Sequence, residues 1–431
     1  MPIICLREYK EKYKAEMWDK MQFLFRKYYD RMVHFVAYFS GTINFETLVK
    51  AYKCAIVKTP ILRSRFVNNP IKPYWRENTD CDVKQAVELI QTGDAEKAVN
   101  EFITQEISIN DDFQIKVALI RCNGKDILCE IVNHMCMDAA DIKEFTAKVF
   151  EIYNCFVNDE FADVHIKNGD RSYLQIYKDL SETDKKAAMK LYKNVSKAER
   201  KAKFRFYNEG ENEKRIIRAE IDETVFDRMK EKCKKTGCTI NDLILTAYVR
   251  ELYDKCLIPE NRPVSVPCMV DLRRHLKNRT SEGFSNQVGF MVCTIKRKGK
   301  SFDDTLKKVK EETRRKKNDK FLGLYGLPLL AFAYKVFPQF LAEHIIKLGY
   351  DNPLTGMSDI GVIDESKFNL FGVETQNVWM TGGIKNKPYM QLAVSTFKKR
   401  ITLSIAENCN KKDAEKLHDA LKNIVSELNS I

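Results

Sequence analysis

The stretch IVNHMCMDAAD, residues 131–141, joins an apolar, strand-like run to the start of a helix. The preceding residues, QIKVALIRCNGKDILCEIVNHM, read as two strands joined at Asn123-Gly124, a dipeptide typical of β-hairpin turns. After Asp138, apolar residues recur at the spacing of one helix face. The sequence therefore predicts a hairpin that ends near His134 and a helix that begins at Asp138.

The histidine and the aspartate in this turn have more than one interpretation. His134 is either a buried histidine whose ring is satisfied within the core, or a general base, because the imidazole pKa suits proton transfer near neutral pH. Asp138 could accept a proton, bind a metal ion or cap the helix that follows. These eleven residues alone do not decide between the alternatives.

Composition indicates a globular protein with more than one domain. Of its residues, 44% are hydrophobic and 31% charged, which is typical of a folded, globular chain. The length of 431 residues suggests two or three domains, with enough chain for a large core. Its 13 cysteines include no Cys-x-x-Cys pair, and most lie in apolar runs. This usage argues against a disulfide framework or a zinc site and favours a reducing, cytoplasmic environment.

Two further features bear on partners. The longest apolar stretch, FLGLYGLPLLAFAY (321–334), is too short to span a bilayer, so we expect no membrane span. The wider segment 321–347 suits a core or lobe-interface helix, or alternatively the lining of a channel for a lipophilic substrate. The net charge of +13 is spread over helix-like faces without an aromatic-interleaved basic stripe, so we expect no nucleic-acid partner.

Helical and strand-like patterns alternate along the chain and then restart. Residues 14–32 predict an amphipathic helix, residues 33–40 a strand, and ILRSRF (61–66) a further strand. A highly charged segment, 181–205, predicts an inter-lobe helix. After it, RIIRAEID predicts a strand, and a helix follows with Thr239 or Asn241 as its N-cap. We therefore expect an N-terminal lobe over 1–180 and a C-terminal lobe over 206–431.

Six stretches, in order, resemble motifs of the condensation-domain and CoA-dependent acyltransferase superfamily. Its hallmark His-His-x-x-x-Asp-Gly is similar to residues 133–139, Asn-His-Met-Cys-Met-Asp-Ala. The other five stretches, each similar to a motif of the family, are PILRSRF (60–66), GCTINDLILTAY (237–248), VPCMVDLRRHL (266–276), FSNQVGFMV (284–292) and MSDIGVID (357–364). The resemblance covers about residues 10–430, which is nearly the whole chain.

The resemblance implies an α/β fold of two chloramphenicol acetyltransferase-like sandwich lobes, arranged in a V with a tunnel between them. It places His134 at the catalytic histidine and gives Asp138 a structural salt bridge. Arg63 and Arg273 lie in matching motifs and are the candidate partners, of which Arg63 is the first choice. The chain departs from the motif at Asn133 and Ala139, and Ala139 adds a methyl group where the backbone could require a glycine.

Four further residues have expected roles. Ser358 and Asn286 could donate a hydrogen bond to an oxyanion, or satisfy strand ends instead. Trp379 and Tyr389 are expected to be packing residues. The other histidines show no metal-ligand spacing, and neither a metal nor a permanently bound cofactor is implied.

The implied activity is acyl transfer from a thioester, either acyl-CoA or a phosphopantetheinyl carrier protein, to a hydroxyl or amine acceptor. His134 would act as general base in a monomeric enzyme with no covalent intermediate. Basic residues at a tunnel mouth would suit CoA phosphates or an acidic carrier protein. The alternative is a binding module that keeps the fold but has little or no turnover, which Asn133 and Ala139 motivate.

Overall fold

The computed structural model describes residues 12–80, 82–178, 180–188, 203–207, 209–256, 258–349 and 354–431. The inter-lobe helix expected over 181–205 lies largely outside these ranges. A short helix is described at its start, Glu182–Ala188. No helix in the described ranges is long and apolar enough to cross a bilayer.

The described residues form fifteen strands in three sheets. The strands are β1 Lys12–Lys14, β2 Met32–Phe39, β3 Ser64–Val67, β4 Tyr74–Glu77, β5 Val87–Gln91, β6 Ile115–Cys122, β7 Lys125–Asn133, β8 Glu213–Ile221, β9 Val264–Asp271, β10 Val288–Ile295, β11 Thr355–Val362, β12 Thr375–Thr381, β13 Lys385–Asn386, β14 Met390–Phe397 and β15 Arg400–Cys409.

The same described ranges contain eleven α-helices. They are α1 Met17–Leu24, α2 Phe45–Val57, α3 Ala95–Ile103, α4 Ala139–Val157, α5 Glu182–Ala188, α6 Glu223–Thr236, α7 Ile240–Lys255, α8 Phe302–Lys317, α9 Leu327–Val336, α10 Gln339–Gly349 and α11 Lys411–Asn429.

A five-stranded sheet in the order β12-β2-β7-β6-β5 forms the first layer. Its central hairpin, β6–β7, turns at Asn123 and Gly124, whose φ angles of 51° and 74° are those of a tight hairpin turn. Strand β2 is buried on both faces, because helices cover both. Its Phe35 packs with α2 and α4, and Val36 packs with α3 on the opposite face.

The second large sheet has the order β10-β9-β11-β14-β15-β13, with β8 also paired to β15. Its core is shared with α7, α8 and α11, whose apolar faces pack against the strands. Thr239 caps α7 in a capping box with Asp242, which decides between the two N-caps considered above. A small sheet of β1, β4 and β3 completes the fold.

One strand crosses between the two large sheets. Although β11 and β14 pair in the seven-stranded sheet, β12 lies between them in sequence and pairs antiparallel with β2 of the five-stranded sheet. Residues 375–381 thus extend the first sheet by hydrogen bonding, although they follow the boundary expected at residue 206. The division of the chain into lobes at residues 180 and 206 stays a prediction.

Two expected elements are shorter than predicted. The helix expected over 14–32 ends at Leu24, continues as a 3-10 turn to Lys27, and gives way to β2 after Arg31 takes a positive φ of 64°. The strand expected over 61–66 begins only at Ser64, because Pro60–Arg63 form a 3-10 turn. In both places the apolar periodicity is real but a local turn interrupts the regular element.

The apolar segment 321–347 forms parts of two helices, α9 and α10. Leu327, Tyr334 and Ala342 are buried in a cluster with Met17 and Met21 of α1. Phe332 and Phe340, by contrast, are exposed. Part of the segment therefore packs in the core. Its alternative role, the lining of a channel for a lipophilic substrate, stays a prediction.

Gly289, the second residue of β10, is required by the close approach of another chain segment. A Cβ at this position would lie 2.2 Å from the carbonyl oxygen of Gly323. We expect Gly289→Ala to lower the free energy of unfolding by about 1–3 kcal/mol, because backbone atoms must move apart. Urea denaturation measures the change.

Gly93→Ala is the matched control, because a Cβ there would meet no atom within 4 Å. It should change stability by about 0.5 kcal/mol or less. Equal unfolding midpoints for Gly289→Ala and the wild-type protein would contradict the packing argument.

Candidate active site

The His134 turn connects the end of β7 to the start of α4, and its main chain is held from two sides. The N–H of His134 donates to the carbonyl oxygen of Arg31 at 2.7 Å. The side-chain amide of Asn286 donates to the carbonyl oxygen of His134 at 2.6 Å. Because these contacts come from distant parts of the chain, the histidine is fixed by tertiary structure.

The imidazole ring of His134 is partly exposed and has a defined tautomer. Its Nδ1 lies 3.0 Å from the carbonyl oxygen of Met137. A carbonyl oxygen can only accept, so Nδ1 carries the proton and Nε2 presents a lone pair. The ring is therefore oriented by the main chain of its own turn rather than by the carboxylate of Asp138.

The protonation state of His134 follows from its surroundings. Burial lowers the pKa of the imidazole below its ordinary value, and the positive charge of Lys385 adds to the effect. Asp138 and the Met137 carbonyl act in the opposite direction but do not outweigh burial. The ring is thus neutral at pH 7, which is the state a general base requires.

Asp138 has both carboxylate oxygens occupied. Its Oδ1 accepts from the N–H groups of Ala140 and Asp141, each at 3.1 Å, and so caps the N-terminus of α4. Its Oδ2 accepts from Arg273 and from the N–H of Gln287, both at 2.9 Å. With four donors and only 2% exposure, the side chain is a fixed structural group.

Arg273 joins two carboxylates of the first turn of α4. Its Nη1 lies 2.9 Å from Asp138 Oδ2, and its Nη2 lies 2.9 Å from Asp141 Oδ1. Lys167 adds a second cation, 2.7 Å from Asp141. All four side chains are buried, so the charges are compensated within the protein.

The two carboxylates differ in their pKa values. Burial alone would raise the pKa of Asp138, but the Arg273 guanidinium and the backbone donors hold it below its usual value. Burial raises the pKa of Asp141 to about 6, against the attraction of Arg273 and Lys167 and with the help of the Asp138 charge. Asp138 is therefore the firmly ionised partner of Arg273.

The loop between β9 and β10 brings three consecutive residues onto the His134 turn. The N–H of Ser285 donates to Asp141 at 2.6 Å, and the N–H of Gln287 donates to Asp138. Between them, Asn286 holds the His134 carbonyl. Asn286 was expected either to donate to an oxyanion or to satisfy a strand end, and its amide lies on the His134 carbonyl, just beyond the end of β7.

Arg63, the first choice of partner for Asp138, does not contact it. Its guanidinium pairs with Glu77 at 2.6 Å, and both side chains are buried. Arg273, the second candidate, occupies the expected place. Both arginines are buried in ion pairs, so the sequence motifs identified the two candidates, but the choice of Arg63 over Arg273 was wrong.

The two departures from the family motif have simple structural roles. The amide of Asn133 donates to Gln114 at 2.7 Å and accepts from the N–H of Met135 at 3.0 Å, which shapes the turn. Ala139 is the first residue of α4 and does not have a positive φ. Its methyl group therefore requires no backbone strain.

The remaining predicted residues lie outside this network. Ser358 lies on β11 opposite Ala393, and no hydrogen bond of its hydroxyl is present in the described part of the chain. Trp379 is buried and lies under Arg218, with the guanidinium 4.4 Å from the ring centre. Tyr389 contacts the ring of Tyr28.

Sequence reasoning missed Asp141, Lys167 and Gln287. Asp141 had a signal, since it lies in the first turn of a helix next to another carboxylate. Gln287 acts through its main chain, and Lys167 approaches from a loop, so neither carries a sequence pattern.

We expect Arg273→Ala to destabilise the protein by about 3–5 kcal/mol, because it leaves two buried carboxylates without their shared cation. Urea denaturation at pH 7 measures this loss. The matched control is Arg400→Ala, whose pair with Glu220 is half exposed and should be worth about 1 kcal/mol or less. Equal effects of the two substitutions would contradict the assignment of Arg273 as the anchor.

The fold is shared with solved structures over nearly the whole chain. Trichothecene 15-O-acetyltransferase TRI3 from Fusarium sporotrichioides has a TM-score of 0.71 at 13% identity, covering 97% of this chain and 95% of that chain. The first condensation domain of the CDA synthetase has a TM-score of 0.71 at 12% identity, covering 97% and 96%. Polyketide synthase associated protein 5 from Mycobacterium tuberculosis has a TM-score of 0.67 at 12% identity, covering 97% of this chain and 97% of that chain.

At such identities the likeness shows the fold, which is the chloramphenicol acetyltransferase-like arrangement of two α/β lobes expected from the sequence. No curated protein matches the sequence. The family model described as the condensation domain matches residues 18–331, which is more than half of the chain. The chain therefore belongs to the condensation-domain family.

Proposed function

We propose that this protein is an acyltransferase that moves an acyl group from a thioester to a hydroxyl or amine acceptor, with His134 as the general base. The observation that carries the proposal is the tautomer of His134: Nδ1 donates to the Met137 carbonyl, so Nε2 is the basic nitrogen. The lowered pKa keeps that nitrogen unprotonated at neutral pH. Membership of the condensation-domain family supports the same reaction class.

The reaction needs one proton acceptor and no covalent enzyme intermediate. Nε2 of His134 takes the proton from the acceptor hydroxyl or amine as the nucleophile attacks the thioester carbonyl. The tetrahedral intermediate then collapses, the carbon–sulfur bond breaks, and the thiolate leaves. The imidazolium returns its proton to the thiolate, which regenerates the neutral base.

Asp138 acts in this proposal as a positioning residue. All four of its described hydrogen bonds are to donors of the protein, so it has no capacity to take a substrate proton. By tying α4 to Arg273 and Gln287 it fixes the turn that carries the histidine. Ser358 as an oxyanion donor, and a tunnel between the lobes, remain part of the proposal.

The donor is proposed to be acyl-CoA or an acyl group on the phosphopantetheine arm of a carrier protein. Two similar structures carry names that point to these alternatives, an O-acetyltransferase and a condensation domain. The substrate supplies the reactive sulfur, so the proposed chemistry needs no permanent cofactor. The excess of basic residues would favour phosphates or an acidic carrier protein.

The alternative of an inactive binding module rested on Asn133 and Ala139. Asn133 stabilises the turn through two hydrogen bonds, and Ala139 begins a helix without strain. Neither substitution therefore disturbs the histidine, which favours the active enzyme. Thioester turnover by the wild-type protein distinguishes the two functions.

We expect His134→Ala to lower kcat by about 10²–10⁴-fold, because the proton acceptor is lost. Release of free thiol from acetyl-CoA and from an acyl-pantetheine thioester, each with a panel of alcohols and amines, measures the rate. His165→Ala is the matched control, since His165 is exposed and should leave the rate unchanged. An unchanged rate in His134→Ala would remove the base assignment.

We expect the acid limb of kcat/KM to have its midpoint below pH 6.5, the ordinary imidazole value. Activity depends on neutral His134 and is lost as pH falls through its folded-state pKa, which burial lowers. Rate measurements from pH 4.5 to about 8, with stability checked at each pH, give the profile. A midpoint well above pH 7 would contradict the assignment.

A further inference from the structure

A cavity of about 390 Å³ lies beside the main chain that holds His134. Phe23 and Ile109 form apolar parts of its wall, and Ser108 and Glu106 contribute polar groups. Two arginines, Arg26 and Arg31, complete the lining. Two guanidinium groups and one carboxylate, that of Glu106, lie on this small cavity, so positive charge is in excess and favours an anionic group there.

The guanidinium of Arg31 is buried but poorly satisfied. The residue is only 6% exposed. Its Nη1 contacts the sulfur of Met135 at 3.3 Å, and its Nη2 reaches Glu106 at 3.5 Å. Its Nε has no hydrogen-bond partner among the described residues. A buried guanidinium whose Nη2 contacts its only carboxylate at 3.5 Å is incompletely compensated, and an anionic group in the cavity would offset that positive charge.

The backbone conformation of Arg31 is unusual for an arginine. Its φ is 64°, in the left-handed region that favours glycine or asparagine over a long side chain. Its carbonyl oxygen accepts from the N–H of His134 at 2.7 Å, and either of those residues would supply that oxygen equally well. An arginine at this position therefore points to a use for its guanidinium.

Arg26 presents the second cation at the more open side of the cavity. Its guanidinium lies 4.0 Å from the ring centre of Phe23, and its Nη1 donates to the carbonyl oxygen of Phe23 at 2.8 Å. Its nearest carboxylate, that of Glu343, is 4.0 Å away, which is a weak ion pair. Arg26 is thus positioned by an aromatic contact while much of its charge remains available.

We propose that this cavity binds an organic carboxylate, with the acid group between Arg26 and Arg31 and the apolar body against Phe23 and Ile109. The planar carboxylate matches the guanidinium fork, and Glu106 already shows that a carboxylate can reach Nη2 of Arg31. The apolar wall favours an organic acid over a small inorganic anion. The site goes beyond the acyl transfer itself, because binding there requires no reaction at His134.

The test uses hexanoate as the probe, titrated into the full chain and followed by calorimetry. Hexanamide has the same apolar body without the charge, and inorganic phosphate has charge without the apolar body. We expect hexanoate to bind about tenfold or more tightly than either. Hexanamide loses the charged hydrogen bond to the guanidinium groups, and phosphate lacks the contact with the apolar wall. Absence of hexanoate binding, or tighter binding of phosphate, would overturn the proposal.

Two variants locate the binding. Arg31→Asn keeps a residue that tolerates positive φ, and Arg26→Gln keeps a polar side chain on the more exposed arginine. Each should weaken hexanoate binding about tenfold or more, while Arg65→Gln, on an exposed arginine paired with Asp112, should not.

Melting temperatures near that of the wild-type protein confirm that the variants fold. If Arg31→Asn does not fold, Arg26→Gln alone decides the outcome. Unchanged hexanoate affinity in a folded Arg26→Gln variant would show that the probe binds elsewhere, and would overturn the site. His134→Ala should retain the affinity, which separates this proposal from the proposed reaction.

Discussion

The buried ion pair of Arg273 with the carboxylates of Asp138 and Asp141 is the interaction on which the candidate site depends. The carboxylates belong to the first turn of α4, beside the five-stranded sheet, whereas the guanidinium follows β9 of the seven-stranded sheet. Charges removed from water must be matched within the protein, so this part of the contact requires both partners. The same ion pair fixes the start of α4, and therefore the turn that carries the histidine.

The group that orients the His134 ring, the Met137 carbonyl, is not the group that carries the nearby negative charge, Asp138. A carboxylate on Nδ1 would fix the ring but would also raise its pKa, whereas the Met137 carbonyl fixes the ring with only a dipole. The negative charge of Asp138 is meanwhile directed to Arg273 and to main-chain donors. Burial can then keep the imidazole neutral, so the ring is held in place with Nε2 unprotonated.

Local sequence predicted much of this structure, because many of its elements follow from short-range chemistry. The Asn123-Gly124 turn, the cap at Asp138 and the cap at Thr239 each depend on a few neighbouring residues. The partner of Asp138 does not, since Arg63 and Arg273 are both buried arginines and only the approach of the β9–β10 loop distinguishes them. Likewise, no pattern in residues 375–381 indicates which sheet that strand joins.

The crossing strand β12 also constrains how the protein can move. Its backbone is paired with β2 from Thr375 to Thr381, while the chain on both sides belongs to the other large sheet. A wide hinge opening between the sheets would have to strip this strand from its partner or strain the segments beside it. Separating the two large sheets would therefore cost main-chain hydrogen bonds of β12 as well as side-chain contacts, because this strand is bonded to one sheet and joined through the chain to the other.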